Sequence, residues 1–260
     1  MGGRGSRSGG FGVGGGGFGA GRGIGGALFG TPNAVTPPPV QNGQPVPAIT
    51  IQQLQSMNDQ EFATYMVGLK STPIDKNTYY NDDWDTQRLV ANMPELNKAP
   101  QIADAQTFAG LKGETIYRTV NASGGDTAVD ICARTMTSDV TTIGEGRMGD
   151  GFYFHQSLSS SQGFYGYTRN NIQKTATMQA KLNSNARVIS ESQLNSMLSK
   201  ESRTVKSAVR NMRSGGSWAG DSGLMAYALY KGYNVVNAGG IYNVIDRSAA
   251  TWSGDLLKKS

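Results

Sequence analysis

The chain has 260 residues, 37% hydrophobic and 17% charged, with a formal net charge of +5. Its one cysteine and one histidine exclude an intrachain disulfide and a Cys/His zinc site. No apolar run reaches the roughly 20 residues that span a bilayer, and no basic start leads into an apolar core. A soluble protein is therefore expected, without membrane or metal partners.

Residues 1 to 30 hold 16 of the 36 glycines, and no acidic residue precedes Asp59. Arg4, Arg7 and Arg22 therefore supply +3 of the +5 charge, leaving the remainder close to neutral. The basic balance is then no sign of a nucleic-acid groove in the folded part. Residues 1–48, glycine-rich and then proline-rich in TPNAVTPPPVQNGQPVP, read as a disordered or extended tail. Such a tail suits a tether or an assembly arm, and its Gly/Arg/Phe part also suits weak binding of RNA or other polyanions.

Residues 49–260 read as one α+β domain, with a helical part at 49–98 and a β-core at 99–260. Asn58 is the expected cap of a first helix, with acidic residues in DQEF and an apolar stripe of Phe62, Met66 and Leu69. A second helix is expected in NDDWDTQRLVANM, ending before Pro94. IYRTVN, residues 116–121, reads as a strand with Arg118 in its centre. The stretch 121–150 is weakly patterned and includes GGDTAVDICARTM, where Cys132 reads as a small buried core residue.

Gly151 to His155 reads as an aromatic strand, followed by a serine-rich turn and a helix or turn that carries Tyr165 and Tyr167. TATMQAKLNSNARVIS gives a strand, a turn and a short strand. ESQLNSMLSKESRTVKSAVRNMR is helical, with Ser190 or Ser192 as its cap. SGGSWAGDSG reads as a break before the helix LMAYALYKG. Two β-runs around Ala-Gly-Gly, in YNVVNAGGIYNVIDRSA, complete the pattern. No repeat recurs at a solenoid or propeller period.

Few chemistries fit. A Ser/His/Asp site would require His155, which has no nucleophile-elbow pattern beside it. GVGGGGFG lacks the Gly-Lys-Ser/Thr ending of a phosphate loop. Arg118 is the more informative residue, since a strand can hold its planar fork of donors rigidly against an anion.

Three stretches in order resemble the ADP-ribosyltransferase fold: IYRTV, then GDGFYFHQSLSSSQGFYG, then YNVV with YNVIDRSA. Together with YYNDDWDTQRLVANMPELNKAPQI and GYNVV, they look like bacteriophage-encoded proteins of that fold found with head-morphogenesis or virion proteins. The resemblance covers roughly residues 78 to 252. It implies a split antiparallel β-core with N-terminal helices, and NAD as the substrate whose ADP-ribose passes to a host protein or nucleic acid. It also implies residence in a phage virion or the host cytoplasm, with residues 1–48 as the contact to virion proteins.

By the same resemblance, Arg118 holds NAD, Ser157 braces the pocket, and Gly151, Tyr153 and Tyr165 line it, with Tyr165 stacking on nicotinamide. The family places a glutamate on a late strand, and this chain has none there. Asp246, the only carboxylate in the two late strands, is then the catalytic residue expected to do the glutamate's electrostatic work, and Asn234 stands where relatives often carry an acid. The alternative is therefore an inactive domain of the same fold with a structural role in the virion.

Overall fold

The computed structural model describes residues 46–73, 84–122, 125–137, 148, 149, 151–164, 174–212 and 221–257. All of these belong to one unit, Thr36–Ser260. Most of residues 1–48, and also Tyr165 and Tyr167, lie outside the described residues.

Helices come first. The short α1 (Ile51–Ser56) and α2 (Asp59–Ser71) both begin in capping boxes, built on Thr50 with Gln53 and on Asn58 with Glu61. Helix α3 (Trp84–Asn92) follows and stops before the 3₁₀ turn Pro94–Asn97. Phe62, Met66 and Leu69 are buried as their spacing predicts. These helices share one continuous core with the sheet, so the N-terminal part is built into the domain.

The remaining elements in chain order are β1 (Gln101–Ala103), α4 (Ala105–Gly110), β2 (Thr115–Asn121), α5 (Ala128–Thr135), β3 (Phe152–His155) and α6 (Leu158–Phe164). Then come β4 (Thr175–Leu182), β5 (Val188–Ser190), α7 (Glu191–Lys200), α8 (Arg203–Asn211), α9 (Ser222–Tyr230), β6 (Val235–Ala238), β7 (Ile241–Val244) and β8 (Ala250–Ser253). The eight strands form one mixed sheet in the order β1-β8-β4-β2-β3-β7-β6-β5. Only β1 with β8 and β5 with β6 run parallel.

The sheet has two halves. Strands β2 and β4 pair along seven positions, from Thr115↔Lys181 to Asn121↔Thr175. Strands β2 and β3 pair at Tyr117↔His155 alone. Past that pair β2 continues along β4 from Arg118 to Asn121, while its ladder with β3 has ended.

Helix α9 is buried along its whole length, as an apolar helix on every side must be. It crosses α8 so closely that a Cβ on Gly223 would meet the Val209 carbonyl oxygen at 1.9 Å. Its C-terminal end is tied down by polar contacts. The Tyr227 hydroxyl donates to Glu201, the Tyr230 hydroxyl donates to Asp59, and Lys231 pairs with Glu201 at 2.8 Å. Phe62 stacks on Tyr230 at 4.2 Å between ring centres, joining α2 to α9. The Ala-Gly-Gly turn joins β6 to β7 as a hairpin, with Gly239 and Gly240 at φ 59° and 84°. Two successive left-handed residues twist in the sense the strands require.

Candidate functional site

The three stretches singled out in the sequence fold as three neighbouring strands. IYRTV lies in β2, FYFH is β3 and IYNV is β7, adjacent in that order. Residues directly opposite across an antiparallel ladder share a face, and neighbours along a strand alternate. Arg118 is opposite Met178, and with Phe152, Phe154 and Val244 it occupies one face. Thr119, Thr177, Tyr153, His155 and Asn243 occupy the other.

On the first face, the Arg118 guanidinium lies 5.7 Å from the centre of the Phe152 ring. That of Arg247 lies 4.9 Å from the same ring. Arg247 is 2% exposed and donates to the carbonyl oxygens of Thr135, Thr137 and Leu96. Cation–π contact and carbonyl bonds make its burial tolerable. The edges of Phe152 and Phe154 also meet Trp252 at 5.7 and 5.2 Å. Cys132 of α5 is buried here, its thiol pushed up to about 12 by burial, with Arg118 pulling weakly the other way. At neutral pH it stays protonated, as a core cysteine does.

On the second face, three hydroxyls form a buried chain. Ser161 of α6 meets Thr119 at 2.8 Å, and Thr119 meets Thr177 at 2.9 Å. Sequence reasoning put the bracing role on Ser157. Ser157 instead caps α6, accepting from the Ser160 amide at 3.1 Å. The serine that reaches β2 is Ser161, one turn further along. The signal was present: Ser161 is one of four serines in QSLSSSQ, and only helix phase singles it out.

Tyr153 donates its hydroxyl to the Gly149 carbonyl oxygen at 2.5 Å. Gly151 is held by close packing. A Cβ there would sit 2.0 Å from Asn243 Oδ1, and Asn243 is fully buried with its Nδ2 donating to the Met148 and Gly149 carbonyls. His155, beside them, is half-buried, and burial lowers its pKa from the ordinary 6.5.

Asp246 follows β7 and caps the 3₁₀ turn Arg247–Ala249. It accepts from the Ser248 amide at 2.9 Å and from the Ser248 hydroxyl at 2.8 Å. Asn234 is structural: its Oδ1 accepts from the Arg187 amide at 2.7 Å, and its Nδ2 donates to the Asn185 carbonyl. Arg118 thus lies over Phe152 on one face, Gly151 and Tyr153 lie with Asn243 on the other, and Ser157 and Asp246 serve as caps. A carboxylate does reach β7 from elsewhere, since Tyr242 donates to Glu114 at 2.6 Å. Burial, and then Glu114, push that tyrosine up to about 12.

Among the described residues, no group of three or more His, Cys, Asp or Glu side chains is placed to hold a metal ion, and no helix is long and apolar enough to cross a membrane. Comparison of the chain with known protein families, curated proteins and solved structures finds no match.

Proposed function

We propose that this domain binds NAD in the gap where β2 and β3 part, as a divergent ADP-ribosyltransferase of phage origin that modifies a host protein or nucleic acid. One observation carries the reading: among the described strands, the β2–β3 ladder ends at Tyr117–His155 while Arg118 to Asn121 run on along β4. The Arg118 fork on one face suits a diphosphate, while the buried Thr119–Ser161–Thr177 chain on the other fixes α6 against β2 beside the gap. The adjacency of the three motif strands within the sheet supports the resemblance.

The chemistry itself would break the bond between nicotinamide and ribose C1′. Nicotinamide leaves with the bonding pair, and the acceptor's nucleophile bonds to C1′ and gives up its proton. A carboxylate near C1′ stabilises the cationic transition state. Asp246 is committed to Ser248, which favours the second reading, a domain of this fold that has lost turnover and serves as a virion component.

Nicotinamide release from NAD by the purified chain, in host lysate, separates the two. Release abolished by Arg118→Ala and preserved in Asp246→Ala places the acid elsewhere, with Glu114 as the next residue to replace. NAD binding without release supports the second reading, and neither binding nor release refutes the proposal.

A further inference from the structure

Helix α8 has an outer face whose composition the β2–β3 gap does not explain. Val205, Ala208, Val209 and Met212 turn inward and are buried. Every other residue from Arg203 to Asn211 reaches solvent: Arg203, Thr204, Lys206, Ser207, Arg210 and Asn211. All six can donate hydrogen bonds, and none is acidic. At about 100° per residue, Arg203, Lys206 and Arg210 fall within an arc of about 60°, over about 10.5 Å of helix rise.

The surrounding acids are engaged elsewhere. Glu201 takes Tyr227 and Lys231, Asp59 takes Tyr230, and Glu61 caps α2 through the Asn58 amide. Lys206 reaches back to the Ser199 carbonyl at 3.3 Å, at the end of α7 where Lys200 adds an exposed cation. No ion pair takes Arg203, Lys206 or Arg210 among the described residues.

From this we infer that the outer face of α8 docks on the sugar–phosphate backbone of a nucleic acid. Phosphates advance about 3.4 Å of duplex axis per residue of one strand, so a 10.5 Å stripe of three cations spans about three of them. Threonine, serine and asparagine beside the cations are also side chains that contact phosphate. A membrane would need apolar groups able to enter it, and α8 presents none. A protein partner would need an apolar centre to the interface, and the neighbouring α2 offers only the single exposed Val67. The face carries no base-reading geometry, so binding is indifferent to sequence. It lies on a different element from the NAD gap and stands whether or not that reading holds.

The test is fluorescence anisotropy of a labelled 20-base-pair DNA duplex with the full chain across a salt series. Three phosphate contacts give a slope of about −2.7 in log K against log salt, so affinity falls roughly 40-fold between 50 and 200 mM. The triple variant Arg203→Glu, Lys206→Glu, Arg210→Glu loses binding at least tenfold more than Lys98→Glu, Lys112→Glu, Lys174→Glu, a control with the same net charge. Thermal melting of both triples confirms that each is folded. Equal losses in the two triples, no binding at 50 mM salt, or binding lost only in Arg4→Ser, Arg7→Ser, Arg22→Ser would overturn the inference. Binding to phosphatidylserine vesicles but not to the duplex would do so as well.

Discussion

Replacing Gly151 by alanine asks whether this residue serves the fold or a ligand. The new Cβ would lie 2.0 Å from Asn243 Oδ1, 2.9 Å from its Cγ and 3.1 Å from the Val244 carbonyl oxygen. Asn243 has no exposed side to swing into, so it yields its bonds to the Met148 and Gly149 carbonyls, at 3.1 and 2.8 Å. Stranding a buried polar group costs about 1–3 kcal/mol, and overpacking adds about 1–3. The sum is about 2–6 kcal/mol, or a Tm lower by roughly 4–24 °C for a domain of this size. The assay is urea denaturation of Gly151→Ala, Asn243→Ala and the double variant. Removing Asn243 removes the obstacle, so the double variant falls within about 1 kcal/mol of Asn243→Ala alone. Strictly additive costs, or a Gly151→Ala protein as stable as the parent, would refute the packing argument. The second result, with weakened NAD binding, would return Gly151 to the ligand.

Other expectations follow from the same contacts. Gly223→Ala drives a Cβ into the Val209 carbonyl, backbone that cannot step aside, and costs about 3 kcal/mol or more by denaturant midpoint. Ser161→Ala removes one hydroxyl from the buried chain and costs about 1–2 kcal/mol, and it weakens NAD binding. Ser157→Ala costs about 1 kcal/mol as a lost cap and leaves NAD binding unchanged. His155 holds its proton less tightly folded than unfolded, so the stability it lends is present above pH 6.5 and is lost as pH falls from there through the lowered folded value. The urea midpoint therefore drops between pH 7 and the acid side, and His155→Gln flattens that part of the profile.

The longer helices were legible where polar caps and apolar spacing agreed, while the short α1 and α4 were not foreseen. Asn58 begins α2, and Ser190 begins α7 with its own capping box. One predicted helix over 191–213 proved to be two, because Ser202 restarts the chain as the cap of α8. Helix α5 was missed: Thr127 and Asp130 form its capping box inside a stretch whose glycines hid the periodicity. Strand β8 was also missed, since ATWS has no alternating pattern when Ala250, Thr251, Trp252 and Ser253 are all buried. At the site, sequence order identified the three strands that end side by side. It could not assign faces, because those depend on the Tyr117↔His155 register, nor separate Ser157 from Ser161.

The central claim is that the gap beside Arg118 takes NAD. Calorimetric titration of NAD into the full chain tests it most directly, with Arg118→Ala alongside. The account predicts measurable binding that weakens about 10- to 100-fold in the variant, the effect of losing about 1.5–3 kcal/mol of charge-assisted hydrogen bonding. No heat of binding from the parent chain, or equal affinity in Arg118→Ala, would contradict it.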